Sequence, residues 1–273
     1  MKKIVALLLA LVMVFALCAC GSKNATSSKT LVVGTSADYA PYEFMYADEK
    51  GDMKFGGIDV LIVEYLAEAM GKEVQIENMS FDYLLVALSK GDYDCVIAAM
   101  EVTDERKEAA DFSDPYYCNL PAKLLVKAEN ADQYKSLADF SGKAVGAQTA
   151  TTKEDLVTEK LPDANLVSIV NVDDIVNQLV YNKLDACCLD GDVAMAKAAA
   201  NPDLMVLDVA IEEEPAPYCI AVAKGDPKGI LPAINEAIAK MNAANVVEGF
   251  VEQATAIYDS GNFEEVSVDA PNA

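Results

Sequence analysis

The sequence predicts an α/β protein made of two similar units. Three observations carry that expectation. Short apolar, β-branched runs alternate with longer segments of helical period, strand then helix then strand. The alternation runs through "YDCVIAAM" (93–100) and then restarts at "AKLLVKA" (122–128). The roughly 250 residues that follow the N-terminal segment are enough for two lobes of ordinary size.

The elements follow in order. "KTLVVGTS" (29–36) reads as a strand ending in a turn. "GIDVLIVEYLAEAMG" (57–71) reads as a helix with Gly71 just past its end. "EVQIENM" (73–79) is a strand, "FDYLLVALSKG" (81–91) a second helix, and "YDCVIAAM" a buried strand. In the second unit, "AKLLVKA" is a strand and "SLADFSG" (136–142) a short helix. "KAVGAQTATTKEDLV" (143–157) gives strand, threonine-rich turn and helix. "ANLVSIV" (164–170) and "LDACCLD" (184–190) are strands; "VDDIVNQLVYNK" (172–183) and "DVAMAKAAAN" (192–201) are helices. "APYCIAVAKGDP" (216–227) is a strand with a turn, and helices follow in "GILPAINEAIAKMNA" (229–243) and "VVEGFVEQATAIYDS" (246–260). The last stretch is expected to return to the first unit, and the residues from about 262 read as a loose acidic tail.

The N-terminus reads as an export signal. Lys2 and Lys3 precede an apolar run over residues 4–17, too short and wrongly flanked for a spanning helix. The run closes on Leu17-Cys18-Ala19-Cys20, which resembles a lipobox. Cys20 fits the lipidated position because a small residue precedes it, and Cys18 does not. Residues 21–29 are small and polar, as a flexible tether requires. No later stretch is long and apolar enough to span a bilayer. The expectation is a domain held by acyl chains at the outer face of the cell membrane.

Composition narrows the chemistry. A net charge of -23 disfavours nucleic acid as a partner, because phosphates would be repelled. The chain has no histidine, which removes the commonest general base and any Ser-His or Cys-His nucleophile. Cys95, Cys118, Cys187, Cys188 and Cys219 form no CxxC pair. With histidine missing as well, a zinc site is not expected.

In open α/β sheets, ligands bind beyond the carboxyl ends of strands. The loop after the first strand, 36–44, is dense in aromatics, and Tyr39 and Phe81 could offer flat faces to a ligand or fill the core. After "CVIAAM" come Glu101, Thr103 and Arg106. Thr103 reads as an N-cap with Asp104 and Glu105 in the first turn. Arg106 either pairs with those acids at the surface or presents its fork to a carboxylate. In the second unit, Thr151 and Thr152 open a helix and either cap it or hold an anion. Asp190, directly at a strand end, either caps the next helix or partners an ammonium. One unit thus offers a guanidinium and aromatic faces, the other N–H and OH donors with a carboxylate. An α-amino acid satisfies the whole set.

At this point the chain resembles the polar amino-acid-binding proteins of ABC importers. That extracellular solute-binding family includes the histidine- and lysine/arginine/ornithine-binding proteins. The resemblance covers roughly residues 31–258. It rests on "VGTSADYAPYEF", "GGIDVLIVEYLAEAMG", "GDYDCVIAAMEVTDERKEAADFSDPYY", "LADFSGKAVGAQTATT", "LDACCLD" and "YCIAVAKGDP" in that order. It implies the type II periplasmic-binding-protein fold: two lobes, each a mixed sheet flanked by helices, joined by two hinge strands that close around ligand. The implied division is signal peptide 1–19, lipidated tether 20–29, lobe one 30–118 and 217–261, lobe two 119–216, and tail 262–273. The hinges fall near 117–121 and 214–218.

Carried over by position, the resemblance assigns Arg106 to the α-carboxylate, Thr151 and Thr152 to its support from lobe two, and Asp190 to the α-ammonium. Tyr39 and Phe81 would sandwich the ligand side chain. Ser36 falls where some relatives carry an acid that reads a basic side chain. Ala98 and Ala99 replace the common Ser or Gly, so only backbone contacts remain there. Met100 and Gln148 complete the implied ligand-binding set. Glu101 stands where Ser or Thr is common; it holds the ammonium, reads a cationic side chain, or neutralises Arg106. Lys153 is expected to be a solvated helix residue.

The leading expectation is therefore a lipid-anchored, monomeric receptor without cofactor or catalytic residues. It would capture a polar amino acid, a basic one among the options, and deliver it to a membrane permease. A second is an enzyme on the same fold, similar to periplasmic cyclohexadienyl dehydratases, with Glu101 as proton donor. A third is a ligand-sensing domain.

Overall fold

Apolar strands that parallel sheets bury on both faces should read as continuous hydrophobic runs. The first strand, β1 (Thr30–Thr35), does so, with Leu31 and Val33 almost fully enclosed. The structure, a computed structural model, describes residues 29–213 and 216–260. The signal peptide, Cys20, the tether up to residue 28, Glu214, Pro215 and the tail lie outside the described residues.

The first lobe holds a five-stranded mixed sheet in the order β5-β1-β6-β13-β7. Its strands are β1, β5 (Glu73–Asn78), β6 (Cys95–Val96), β7 (Ala110–Phe112) and β13 (Ala221–Ala223). β5, β1 and β6 run parallel, and β13 is antiparallel to both β6 and β7. Helices α1 (Ile58–Ala69) and α2 (Phe81–Lys90) connect the parallel strands. α2 ends where Gly91 takes the left-handed conformation, φ 86°, which glycine adopts without steric cost.

The second lobe repeats the plan. β8 (Lys123–Lys127), β9 (Ala144–Gln148), β10 (Asn165–Ile169), β11 (Ala186–Leu189) and β12 (Leu204–Val206) form a sheet in the order β10-β9-β11-β8-β12. Here too four strands run one way and one, β8, runs against them, antiparallel to both β11 and β12. Helices α4 (Thr152–Lys160), α5 (Val172–Val180) and α6 (Gly191–Ala200) flank it. Asn171 caps α5 by accepting from the Asp174 amide at 3.0 Å. The region 136–142, expected to be a short helix, is a single 3₁₀ segment, Leu137–Phe140, closed by a Ser136–Asp139 capping box.

The C-terminal helices α7 (Leu231–Ala244) and α8 (Val247–Asp259) pack back onto α1 of the first lobe. Three features depart from the sequence reading. The buried run 93–100 is strand only over two residues, because the chain turns away at Ala98-Ala99 to line the cleft. The aromatic loop 36–44 contains part of an additional antiparallel sheet, β2 (Asp38–Tyr39), β3 (Glu43–Ala47) and β4 (Met53–Gly56). The short strands β7 and β12 were too brief to show a period of two.

The chain passes twice between the lobes, after β7 and before β13. The two passages pair locally: Tyr218 bridges Tyr117 and Glu101 in antiparallel fashion, with the Tyr218 amide donating to the Tyr117 carbonyl at 2.9 Å. Tyr42, Tyr116, Tyr117 and Tyr218 gather here, Tyr42 meeting Tyr218 edge-on at 5.1 Å. Gly191 opens α6 against this crossing. A Cβ there would lie 2.7 Å from the Pro121 carbonyl oxygen, so any larger residue forces the passage outward.

Candidate functional site

The Arg106 side chain answers why a cation stands at the start of a helix. α3 (Asp104–Ala109) is a single short turn capped by Thr103, whose hydroxyl accepts from the Arg106 amide at 3.1 Å. That cap turns the Arg106 guanidinium back over the Phe81 ring, 5.1 Å from its centroid. Nη1 donates to the Glu101 carbonyl at 2.7 Å, and Nη2 donates across the cleft to the Ala150 carbonyl at 3.0 Å. The Asp104 and Glu105 carboxylates take no part in holding the guanidinium by hydrogen bond. Burial lowers the basicity of Arg106, while Glu101, Asp155 and Glu105 work the other way.

The backbone at both rims is unusual. Ala99 (φ 44°) and Ala150 (φ 62°) occupy the left-handed region that disfavours a side chain. Such conformations persist where surrounding structure imposes them, and they cluster at binding sites. The Ala99 amide is held by the Asp59 carboxyl at 2.7 Å. Ala98 and Ala99 both line the cleft.

Asp190 directly follows β11 and does not cap α6 with its side chain. Its Oδ2 accepts from the Tyr39 and Tyr218 hydroxyls, the latter at 2.7 Å, and its Oδ1 from the Asn119 amide group. Lys153 Nζ lies 2.8 Å from Oδ1. Lys153 is thus not a solvated helix residue: it is 3% exposed, because α4 directs it under the threonine turn into a nest of acids. Its ammonium contacts Glu101 at 3.0 Å and also pairs with Glu213. Burial disfavours the Lys153 charge, but Asp190, Glu101 and Glu213 outweigh that and hold it above the ordinary lysine value. Thr152 donates its hydroxyl to the second Glu101 oxygen. Burial pushes the Glu101 carboxyl up, and Lys153 pulls it back.

Two acids that the sequence reading passed over sit beside these. Asp38 accepts from Ser36 Oγ at 3.0 Å and, across the cleft, from the Val172 amide of α5 at 2.8 Å. Burial raises its carboxyl to about 7. Glu43, also on the cleft wall, faces Asp59 in the lobe-one interior. Burial, then the neighbouring Asp59, drives Glu43 well above the ordinary carboxyl value, and burial takes Asp59 to about 7.

The cleft brings together Ser36, Tyr39, Phe81, Ala98, Ala99, Glu101, Arg106, Gln148, Thr151, Thr152 and Asp190. Met100 is instead packed in the lobe-one core and borders a wider neighbouring cleft. Tyr39 serves less as a flat face than as a hydroxyl donor to Asp190. Thr151 turns its hydroxyl to the Gln148 carbonyl at 2.6 Å. The sequence reading gave no ligand role to Asp38, Glu43, Asn119, Lys153, Glu213 or Tyr218, although Asp38, Glu43 and Tyr218 lie within the stretches that carry the resemblance. Only the density of acid and tyrosine in 36–44 hinted at the first two.

This architecture, two mixed α/β lobes around a polar cleft crossed by two chain passages, is that of a type II periplasmic binding protein. Residues 31–253 match the bacterial extracellular solute-binding proteins, family 3, and the chain belongs to that family. It is 35% identical over 214 residues to the arginine-binding extracellular protein ArtP of Bacillus subtilis (strain 168), covering 75% of this chain and 79% of that protein. It is 34% identical over 184 residues to a probable histidine-binding protein of Campylobacter jejuni, covering 67% and 69%. Among solved structures, it is similar to an amino acid ABC transporter substrate-binding protein from Streptococcus pneumoniae bound to L-arginine. That match has a TM-score of 0.80 and 33% identity, and it covers 87% of this chain and 96% of the other.

Proposed function

We propose that this protein captures an α-amino acid with a cationic side chain between its lobes and delivers it to the permease of an ABC importer. The observation that carries the reading is the meeting of Arg106 from one lobe and Asp190 from the other on the wall of one cleft. The guanidinium suits the α-carboxylate, with Thr151 and Thr152 at the start of α4 supporting the anion. Asp190 and Glu101 suit the α-ammonium. Asp38 and Glu43 supply further carboxyl groups along the same wall, which a positively charged side chain would offset. The names of the arginine-binding relatives support the same class of ligand.

In this reading the lobes comprise residues 30–118 with 217–261, and 119–216, hinged near 117–121 and 214–218. Closure withdraws the charges from water and strengthens each pairing. The protein acts as a monomer, anchored through lipidated Cys20 to the outer face of the cell membrane. The basis for the anchor is the Leu17-Cys18-Ala19-Cys20 sequence.

A thermal-shift screen against the common amino acids, ornithine, citrulline and cystine tests the ligand class, since a true ligand stabilises by mass action. The expected hit is arginine or another basic amino acid. Calorimetry on Arg106→Ala is expected to show affinity reduced more than tenfold, on the order set by removing one partner of a buried charged pair. Unchanged affinity would reject the site, and turnover of prephenate or arogenate would favour an enzyme using Glu101 as proton donor.

A further inference from the structure

The acceptors assigned to the ligand's ammonium are already engaged by the protein itself. A carboxylate offers about four lone-pair sites. On Asp190 those sites face Lys153, Asn119, Tyr39 and Tyr218. On Glu101 one oxygen meets Lys153 and the other Thr152. An ammonium has three donors and no acceptor. Lys153 Nζ has three carboxylate partners: Glu101 on one lobe, Asp190 on the other, and Glu213 on the chain leading back between them. It also lines the cleft. Its surroundings are those of a bound ammonium ion, except that the ion is tethered to α4.

We propose that Lys153 is a specificity-determining residue, a built-in rival that holds the α-ammonium seat until a ligand ammonium displaces it from Asp190. The inference rests on the amino-acid-binding reading above and deepens it. Three carboxylates surround one ammonium, so a second cation is attracted and Lys153 can fall back on Glu213 and Glu101. Binding is then an exchange of one ammonium for another on Asp190. A ligand that lacks the α-ammonium leaves Lys153 where it is and strands no carboxylate. The wild-type site should therefore discriminate weakly on this one group. Sites built to hydrogen-bond a ligand group ordinarily reject the analogue lacking it by about 10⁴-fold or more.

The test compares L-arginine with 5-guanidinopentanoate, the same molecule without its α-amino group, by calorimetry. If another amino acid binds best in the screen, it and its own des-amino acid form the pair. Wild type is expected to prefer the amino acid by less than about a hundredfold; a larger preference overturns the inference, and this measurement needs no variant. Lys153→Met, with Lys153→Gln as the variant that keeps a polar head, is expected to raise that preference at least about tenfold. The amino acid gains an empty seat, while the analogue leaves Asp190 and Glu101 unpaired. If Lys153 is only a structural tie, both affinities fall together and the ratio stays put, which overturns the inference alone. A wild type that binds no amino acid overturns the reading of the site and this inference with it.

Discussion

Two of the groups of buried carboxyls among the described residues are neutralised in opposite ways. Glu101, Asp190 and Glu213 surround the Lys153 ammonium at the seam between lobes. Glu43 and Asp59 lie in the lobe-one wall, 1% and 0% exposed, with no cation among their hydrogen-bond partners. Taken as two carboxylates, Glu43 Oε2 and Asp59 Oδ1 would each lack a donor. One shared proton gives both a partner, with Glu43 donating and Asp59 also accepting from the Ala99 amide at 2.7 Å and the Tyr116 hydroxyl at 2.8 Å. The difference teaches what each region is for. A proton is compact and fixes one arrangement, so the Glu43–Asp59 pair locks the cleft loop to the Tyr116 passage. A lysine on a long stem can be exchanged for another cation, which suits a place where a ligand must enter.

The comparison breaks most sharply at Asp190. Asp190→Ala leaves Lys153, Tyr39 and Tyr218 facing a void. Removing one partner from a buried charged cluster costs about 3–5 kcal/mol. The expected outcome is a clear drop in Tm by calorimetry together with a loss of amino-acid affinity greater than about tenfold. A variant that melts and binds like wild type would show that the cluster is dispensable.

The proton-bridged pair gives the next largest effect, through pH. Burial raises Asp59 to about 7, and burial with the neighbouring Asp59 raises Glu43 well above the ordinary carboxyl value, so both hold protons more tightly folded than unfolded. Their stability contribution is therefore complete below the ordinary carboxyl range and is lost as pH rises toward 7 and beyond. Wild-type Tm is expected to fall between pH 5 and pH 8 by several degrees, at about 2–4 °C per kcal/mol for a chain of this size. Glu43→Gln keeps a donor for Asp59 without an ionisable proton, and its profile should be flatter. Equal slopes in the two proteins would remove the shared proton from the account.

The smallest expected effect concerns a single hydroxyl tie between the lobes. The Tyr42 hydroxyl donates to Asp192 Oδ2 at 2.7 Å, and the same oxygen keeps the Leu120 amide at 3.0 Å. Tyr42→Phe loses about 1 kcal/mol, roughly fivefold in ligand affinity. A loss as large as that of Asp190→Ala would mean that the tyrosine cluster, rather than the charges, holds the cleft shut.

Much of this was legible in the residues. Alternating runs gave both sheets, because strands buried on both faces must be apolar throughout. Thr103 and Arg106 were readable as a pair because a cap and a first-turn cation conflict unless the cation has a task. The hairpin formed by β2, β3 and β4 was not legible. Its strands are short, and its Tyr39 and Glu43 pair with each other across a tight turn rather than following a long period. Lys153 was misread for a related reason. Its position in the first turn of α4 says solvent, and only the packing of α4 against β11 turns it toward Asp190.

The sequence by itself determined the elements and the chemical types at strand ends, since periodicity and capping depend on neighbours within a few residues. Only the tertiary structure decided which charges meet. Glu101 and Lys153 are 52 positions apart, and Tyr39 and Asp190 are 151 apart. Electrostatic pairing depends on distance through space and on the exclusion of water, and neither is written in the order of the residues.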